Sequence, residues 1–517
     1  MRTISVIDIG TNSIRLAVVR IDPNHDYRNL SIHKEVIRLG EGEFAHNRIT
    51  APAMERGLLV LRKFADIARR FDSQEIVVAA TAAVREAQNR TEFVERAKRE
   101  SGVDVRIVPG VEEARLIYLG VASGIDMAGG TGLFVDIGGG TTEVIIGDKR
   151  EHMMLDSLKL GAIRLTDMFM RNEIGAISDK RYKKIVDYAR GAASNAIRKI
   201  RDIGFGSVYG SSGTIMNLAE ITARRLNPDL TSIRNYDLKY GDLAETITSL
   251  RAMPLEQRRN LPGINPDRAD IIICGAAILD AIMSAACADS IIISDRGLRD
   301  GLVIDHLFAE EAIKEKYHSI SVRERSILQF GNACRFDSHH AANVSDLADS
   351  LYMQLGNLGI LKHDDLEREL LRYASLIHDI GTFVSYSDHH RHSYYLIRNW
   401  SILGFTDGEI ELIATAALCH RKLSPAKTRI GKSYPQGRGT ADRLSSMLRI
   451  ADALDRSQTG LIRGIICRLD GSRKRLILEV YASEDCPLEM WALEIKKRLF
   501  ERVFGLDVSI KRVIGSA

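Results

Sequence analysis

The chain has 517 residues, of which 45% are hydrophobic and 27% are charged, and this composition is ordinary for a globular protein of about three or four domains. A formal net charge of +4 is too small to indicate a nucleic-acid partner. Six scattered cysteines without a Cys-x-x-Cys pair argue against a disulfide framework and a zinc ribbon. No signal segment or membrane-length apolar run is visible, so we expect a cytoplasmic protein without membrane contact.

Two hairpins of the same pattern are predicted over residues 3–20 and 132–147. In each, an apolar strand ends in Asp-Ile-Gly, a turn rich in Gly, Thr or Ser follows, and a second apolar strand comes next. The two aspartates, Asp8 and Asp136, lie 128 positions apart. The repeat predicts an internal duplication of an α/β domain.

The remaining pattern predicts a change of fold class along the chain. Up to Leu302, helices and strands alternate, with helices at 52–72, 111–124, 179–204 and 268–286 and strands at 75–80 and 207–214. From about 305 to 455 the pattern is almost entirely helical, and from about 460 it predicts strands, a helix at 488–503 and a last strand at 506–514. We therefore expect α/β domains at 1–125 and 126–304, an all-α domain at 305–457 and a small α+β domain at 458–517.

The two turns have the chemistry of a phosphate cradle. Glycine allows a close approach of the backbone, and consecutive N–H groups then face one anion. The predicted phosphate-binding residues are Gly10, Thr11, Asn12, Ser13, Gly138, Gly139, Gly140 and Thr141. Asp8 and Asp136, directly before the turns, are candidate ligands for Mg²⁺ or Mn²⁺. One such turn is usually an ordinary hairpin, but hairpin formation gives no reason to repeat the aspartate.

Further segments make a specific resemblance over residues 1–302. The paired turns resemble the phosphate loops of the actin, sugar kinase and 70-kDa heat-shock superfamily. The additional segments resemble the exopolyphosphatase/guanosine pentaphosphate phosphohydrolase family, and they are Thr81–Ala87, Gly110–Leu116, Gly161–Leu165, Gly210–Thr214 and Arg296–Gly301. The resemblance implies two actin-like (ribonuclease H-like) α/β domains and the hydrolysis of a terminal phosphate with Mg²⁺.

The same resemblance implies roles for several side chains. Glu113 is expected to be the general base, Glu143 a second carboxylate near the metal or the water, and Arg85 a phosphate clamp. The turn with Ser212, Gly213 and Thr214 is expected to touch phosphate. By itself, the pair Glu112-Glu113 would indicate an exposed helix face, and only one of two adjacent helical residues can face a site.

The histidines of the predicted helical domain resemble the HD phosphohydrolase pattern, which implies an HD-like fold. The pattern implies a divalent-metal set of His340, His378, Asp379 and Asp452, and His392 and His420 would add a second metal or bind phosphate. Thr382 stands where many active HD hydrolases have lysine, which argues against nucleotide cleavage. In members of the family this domain is often a degraded scaffold, which is the alternative interpretation.

A basic run from His420 to Arg443 is either a solvated loop or a track that leads a polyanion to the cleft. With the track, the first interpretation is an exopolyphosphatase that acts on inorganic polyphosphate. The alternatives are a guanosine pentaphosphate (pppGpp) 5′-phosphohydrolase and a binding regulator with little turnover. A kinase would usually need an aspartate base, and the Glu-Glu-Ala-Arg segment argues against it. The family resemblance also implies a homodimer.

Overall fold

The chain folds into two compact units, Met1–Val322 and Arg323–Ala517. The computed structural model describes residues 1–23, 27–42, 47–127, 130–228, 230, 232–308, 320–400, 402–421, 437–471 and 474–514. In this part of the chain, no helix has the length and apolar character needed to span a membrane.

The first unit contains two sheets with the same core topology. The first sheet has the order β3-β2-β1-β4-β5, with strands β1 Arg2–Ile9, β2 Ser13–Ile21, β3 Tyr27–Val36, β4 Glu75–Ala80 and β5 Val105–Ile107. The second has the order β10-β11-β9-β6-β7-β8, with strands β6 Gly132–Ile137, β7 Thr142–Gly147, β8 His152–Leu158, β9 Ser207–Ser211, β10 Asp237–Lys239 and β11 Ser290–Ile293. In the first sheet, β1 is antiparallel to β2 and parallel to β4. In the second sheet, β6 is likewise antiparallel to β7 and parallel to β9. The shared topology confirms the predicted duplication.

The sequence analysis missed β3 and β8, the outer strand of each antiparallel meander. Most side chains of both strands are exposed or half-buried, so neither strand shows the apolar pattern on which strand prediction depends. Each forms because its neighbour, β2 or β7, offers a free edge.

Among the described residues of the first unit, eleven α-helices cover the two sheets. They are α1 Ala51–Arg70, α2 Ala82–Glu86, α3 Arg90–Ser101, α4 Gly110–Ala122, α5 Ala162–Phe169, α6 Asp179–Ile203, α7 Ser212–Leu226, α8 Tyr240–Ala252, α9 Leu255–Arg259, α10 Ile272–Ala286 and α11 Leu298–Leu307. Side-chain caps fix two of their starts, because Thr50 accepts from Ala53 N and Ser178 from Arg181 N.

Helix α11 packs closely on α4. A Cβ on Gly301 would lie 1.8 Å from the Leu116 carbonyl oxygen, so only glycine permits this contact. Leu302 and Ile304 join a core that includes Ile4 of β1. The helix therefore packs on α4 and β1, and it includes residue 304, the last residue of the second predicted domain.

In its described residues, the second unit combines seven α-helices with a three-stranded sheet. The elements are α12 Val322–Ala333, α13 Ser338–Asn357, α14 Asp365–Ile377, α15 His389–Asn399, α16 Asp407–Cys419, α17 Gly437–Leu454, β12 Ile462–Leu469, β13 Arg475–Ala482, α18 Pro487–Phe504 and β14 Asp507–Ile514. Strand β13 pairs antiparallel with β12 and parallel with β14. One hydrophobic core joins the helices to the sheet, for example through Leu371, Leu448 and Val480.

Candidate functional site

Two turns of the same geometry end the first strands of the two sheets. Gly10 N donates to Ser13 O at 3.1 Å, and Gly138 N donates to Thr141 O at 2.9 Å. A Cβ on Gly139 would lie 2.9 Å from the Thr11 Cβ. The structure thus brings the two predicted phosphate turns into contact, and glycine is required where they touch.

The turns line a pocket in the first unit. All the predicted phosphate-binding residues line it, as do Asp8, Asp136 and Glu113. The phosphate-binding set is Gly10, Thr11, Asn12, Ser13, Gly138, Gly139, Gly140, Thr141, Ser212, Gly213 and Thr214. The residues that the sequence analysis selected from separate segments therefore share one cavity.

The third turn joins β9 to helix α7. Its Ser212 has φ +86°, in the left-handed region that non-glycine residues rarely adopt. A Cβ on Gly213 would lie 2.5 Å from the guanidinium carbon of Arg268. The first residues of α7 line the pocket, so the N–H groups at the start of this helix are available to an anion.

Asp8 and Asp136 are the carboxylates beside the turns. Burial raises the pKa of Asp8 to about 6, although Arg15 and Arg299 oppose the shift. Burial also raises the pKa of Asp136, whose carboxylate accepts a hydrogen bond from the Ser211 hydroxyl. A cation that binds between the two carboxylates would offset the free-energy cost of holding their charged forms away from water.

Glu113 lies in the first turn of α4 and is 6% exposed, whereas Glu112 faces outward and binds Arg115 at 2.7 Å. The Glu113 Oε2 accepts a hydrogen bond from Arg85 Nη1 at 2.7 Å. Burial raises the pKa of Glu113 to about 7 against the opposing charge of Arg85. A carboxylate with such a pKa, at a polar pocket, is suited to accept a proton near neutral pH.

Glu143 is buried on β7, outside the pocket lining. Its Oε1 accepts a hydrogen bond from the Ser157 hydroxyl at 2.8 Å, and its Oε2 accepts none from any described residue. Burial and the charge of Glu113 raise the pKa of Glu143 well above its usual range. Burial therefore favours the protonated, uncharged form of Glu143 near neutral pH, and its role as a second carboxylate near the metal or the water stays a prediction.

Two arginines that the sequence analysis did not select line the pocket. Arg15 lies opposite Asp8 in the β1–β2 register, and Arg268 is 6% exposed. Burial, followed by the charge of Arg15, lowers the pKa of Arg268 to about 10. Neither arginine has an ion-pair partner among the residues that the structure describes. The position of Arg15 inside the apolar β2 run is a sequence signal that could have identified it. No local pattern marks Arg268.

Arg85 lies outside the pocket lining. Its Nη1 donates to the Val108 carbonyl at 2.8 Å as well as to Glu113. In this geometry Arg85 holds Glu113 in place. A direct contact between Arg85 and phosphate stays a prediction.

The second unit brings most of the predicted histidine set together. Two groups of potential ligands share Asp379, namely His340, His378 and Asp379, and Asp379, His389 and His420. Asp452 Oδ1 lies 3.7 Å from His378 Nε2. His392 is in neither group, and His389, one turn earlier on α15, stands in its place.

The predicted basic track falls largely on residues 422–436, which lie outside the described residues. Within the described part, Arg443 donates to Glu367 Oε1 at 2.8 Å. This arginine therefore stabilises the packing of α17 on α14 instead of binding a polyanion.

Comparisons with known proteins follow the division into units. The sequence profile of the Ppx/GppA phosphatase family matches residues 17–310, and that of Ppx/GppA phosphatase domain III matches residues 322–497. A guanosine-5′-triphosphate,3′-diphosphate pyrophosphatase of Aeromonas hydrophila is 30% identical over 452 residues, which is 86% of each chain.

Solved structures agree with these matches. An exopolyphosphatase from Cytophaga hutchinsonii has a TM-score of 0.57 and 27% identity, and the match covers 60% of this chain and 98% of that one. A Ppx/GppA family member from Aquifex aeolicus has a TM-score of 0.51 and 25% identity, with 60% and 98% covered. With the duplicated topology, they confirm the predicted family and the actin-like α/β fold. The HD-like fold, the division into four domains, the homodimer and the cytoplasmic location stay predictions.

Proposed function

Because the chain belongs to the Ppx/GppA phosphatase family, we propose that it is an exopolyphosphatase that releases orthophosphate from the end of inorganic polyphosphate. The observation that carries the proposal is the pocket itself. Backbone turns, two arginines without ion pairs among the described residues and a buried glutamate with a pKa of about 7 line one cavity.

The chain's own groups have distinct tasks. The N–H groups of the turns at Gly10–Ser13 and Gly138–Thr141 bind phosphate oxygens, and Arg15 and Arg268 neutralise their charge. Glu113 accepts the proton of the attacking water, because its raised pKa makes it a stronger base than an exposed glutamate. Arg85 keeps Glu113 ionised and oriented through the 2.7 Å hydrogen bond.

The donor set beside the turns fits a divalent cation. Asp8 is buried and Asp136 is half-buried, and the side-chain amide of Asn12 has no hydrogen-bond partner among the described residues. We expect Asp8 and Asp136 to hold Mg²⁺, which supplies charge neutralisation on the transferred phosphoryl group when bound.

A second candidate is the 5′-phosphohydrolysis of pppGpp. The Aeromonas hydrophila relative, whose name describes an enzyme for this type of nucleotide, matches 86% of the chain. Both substrates end in a phosphoanhydride, so one set of catalytic groups serves either. Which of the two substrates the protein prefers depends on its contacts with the part of the substrate beyond the terminal phosphates.

The test is orthophosphate release from long-chain polyphosphate and from pppGpp, with Mg²⁺, by wild type, Glu113→Ala and Glu112→Ala. Glu112 is the matched control, because it is the adjacent glutamate on the outer face of α4. We expect polyphosphate turnover to fall by roughly 10²–10⁴-fold in Glu113→Ala and to persist in Glu112→Ala. Faster pppGpp turnover by wild type would favour the second candidate, and a fully active Glu113→Ala would refute the assigned base.

A further inference from the structure

The second unit contains a cluster of four buried imidazoles and three carboxylates. His340, His378, His389 and His420 are between 1% and 4% exposed. They reach the cluster from separate elements, namely the start of α13, the end of α14, the start of α15 and the end of α16. Asp379, at its centre, belongs to both groups of potential ligands.

The outer nitrogen of each imidazole is already engaged. Nδ1 lies 2.7 Å from the Ser375 carbonyl in His378, 3.1 Å from the Tyr386 carbonyl in His389 and 2.5 Å from the Ala417 carbonyl in His420. In His340 it lies 2.7 Å from Asp455 Oδ2. Carbonyl and carboxylate oxygens only accept hydrogen bonds, so the network assigns the proton of each neutral ring to Nδ1. In the neutral form of each ring, Nε2 then carries a lone pair.

Three of these acceptors meet at one point. Asp379 Oδ1 lies 3.1 Å from His389 Nε2 and 3.3 Å from His420 Nε2, and the two nitrogens are 3.2 Å apart. Three lone pairs at such distances repel one another unless a cation lies between them. Ligands about 2.1 Å from a metal ion are separated by roughly 3.0 Å in octahedral and 3.4 Å in tetrahedral geometry. The three measured distances fall in this range.

The opposite side of the cluster already holds a cation. The Lys496 ammonium, from α18, forms an ion pair with Asp452 Oδ2, and its side chain is 15% exposed. With the four imidazoles neutral, as metal ligation requires, the three carboxylates Asp379, Asp452 and Asp455 and one ammonium leave two negative charges in the cluster. One divalent ion neutralises them, whereas two ions would leave a buried excess of positive charge, which is costly.

We propose that the second unit binds one divalent transition-metal ion through Asp379, His389 and His420, and that Lys496 takes the place of a second ion beside Asp452. Two imidazoles and a carboxylate are a ligand set that suits such metals. This site differs from the predicted set, in which Asp452 was a ligand and His389 was absent. It takes no part in the proposed phosphate chemistry of the first unit, so an experiment can refute the metal site without refuting the proposed function, and the reverse also holds.

The test is metal stoichiometry of the full-length protein after removal of metals by a chelator and reloading with Zn²⁺. An excess of Mg²⁺ during reloading keeps the carboxylate pocket of the first unit from taking up Zn²⁺. The variants are His420→Ala, His340→Ala and Lys496→Met. The matched control is His363→Ala, because His363 is exposed in the same unit and binds Asp365.

We expect one equivalent of Zn²⁺ in wild type, His363→Ala and His340→Ala, none in His420→Ala and two in Lys496→Met. Cobalt substitution gives a second readout, since the visible absorption of bound Co²⁺ reports nitrogen ligands even where a variant is less stable. No bound metal in wild type would overturn the proposal. Loss of the ion in His340→Ala but not in His420→Ala would overturn its location. Two equivalents in wild type, or one in Lys496→Met, would overturn the role of Lys496.

Discussion

Arg85→Met tests how the protein controls its proposed general base. Arg85 donates to Glu113 at 2.7 Å, and its charge opposes the burial that raises the pKa of Glu113 to about 7. A hydrogen bond to a charged group contributes about 1.5–3 kcal/mol, and one pKa unit corresponds to about 1.4 kcal/mol. Loss of Arg85 should therefore raise the pKa of Glu113 by about one to two units.

The sign of the effect on rate follows from the form of the base that acts. Only the carboxylate of Glu113 accepts a proton, so kcat/KM rises with pH until the pKa is passed. The acid limb of wild type should end near pH 7, and that of Arg85→Met should move to about pH 8–9. At pH 7 the variant should then be about 5- to 50-fold slower, and it should approach wild type in alkaline buffer.

The assay is orthophosphate release at low substrate concentration across pH 5.5–9.5, with saturating Mg²⁺. Arg96→Met is the matched control, because Arg96 binds Glu55 and Glu100 on the surface of the same half. A loss of rate that is equal at every pH would refute the reasoning. It would indicate that Arg85 acts on phosphate directly, as the family resemblance implied.

Three further outcomes are expected. Gly161→Ala places a Cβ 2.1 Å from the Gly139 carbonyl oxygen, so kcat/KM should fall more than roughly tenfold and stability by about 1–3 kcal/mol; Gly191→Ala, with open space around it, is the control, and an active Gly161→Ala would contradict the tight fit. Glu143→Gln mimics the protonated form that burial favours. At pH 8 its free energy of unfolding, measured by urea denaturation, should therefore exceed that of wild type by about 1–3 kcal/mol. This difference in stability should vanish near pH 4, where Glu143 is protonated in the folded and the unfolded state alike. A difference that is constant with pH would show that the ionisation of Glu143 is not its cause. Ser212→Gly removes a left-handed serine, so its free energy of unfolding should stay within about 1 kcal/mol of wild type while orthophosphate release slows; a large loss of stability would show that the serine is not strained.

Local chemistry explains what the sequence predicted well. A glycine-rich turn after an apolar strand has nearly the same conformation wherever it occurs, so Asp8 to Ser13 and Asp136 to Thr141 were recognisable without a structure. The repeat of that pattern predicted the duplicated sheets. The helical spacing of Glu112 and Glu113 required that only one of them face the pocket, and the family resemblance selected Glu113.

Tertiary structure decided the contacts between distant segments. Nothing local to Arg85 or Lys496 distinguishes them from surface cations, because each acquires its partner from an element far away in the chain. The Arg85–Glu113 bond depends on how α2 packs beside α4, and Lys496 reaches Asp452 only because α18 packs on α17.

The histidines show the same division within a single helix. The sequence identified a metal-ligand composition that included His392 and omitted His389. Spacing alone does not give the rotation of a short helix that begins after a loop. The fold sets that rotation through packing, and it turns His389 toward Asp379. Residue types thus determined the chemistry that this protein has available, whereas the packing of its helices determined which side chains meet.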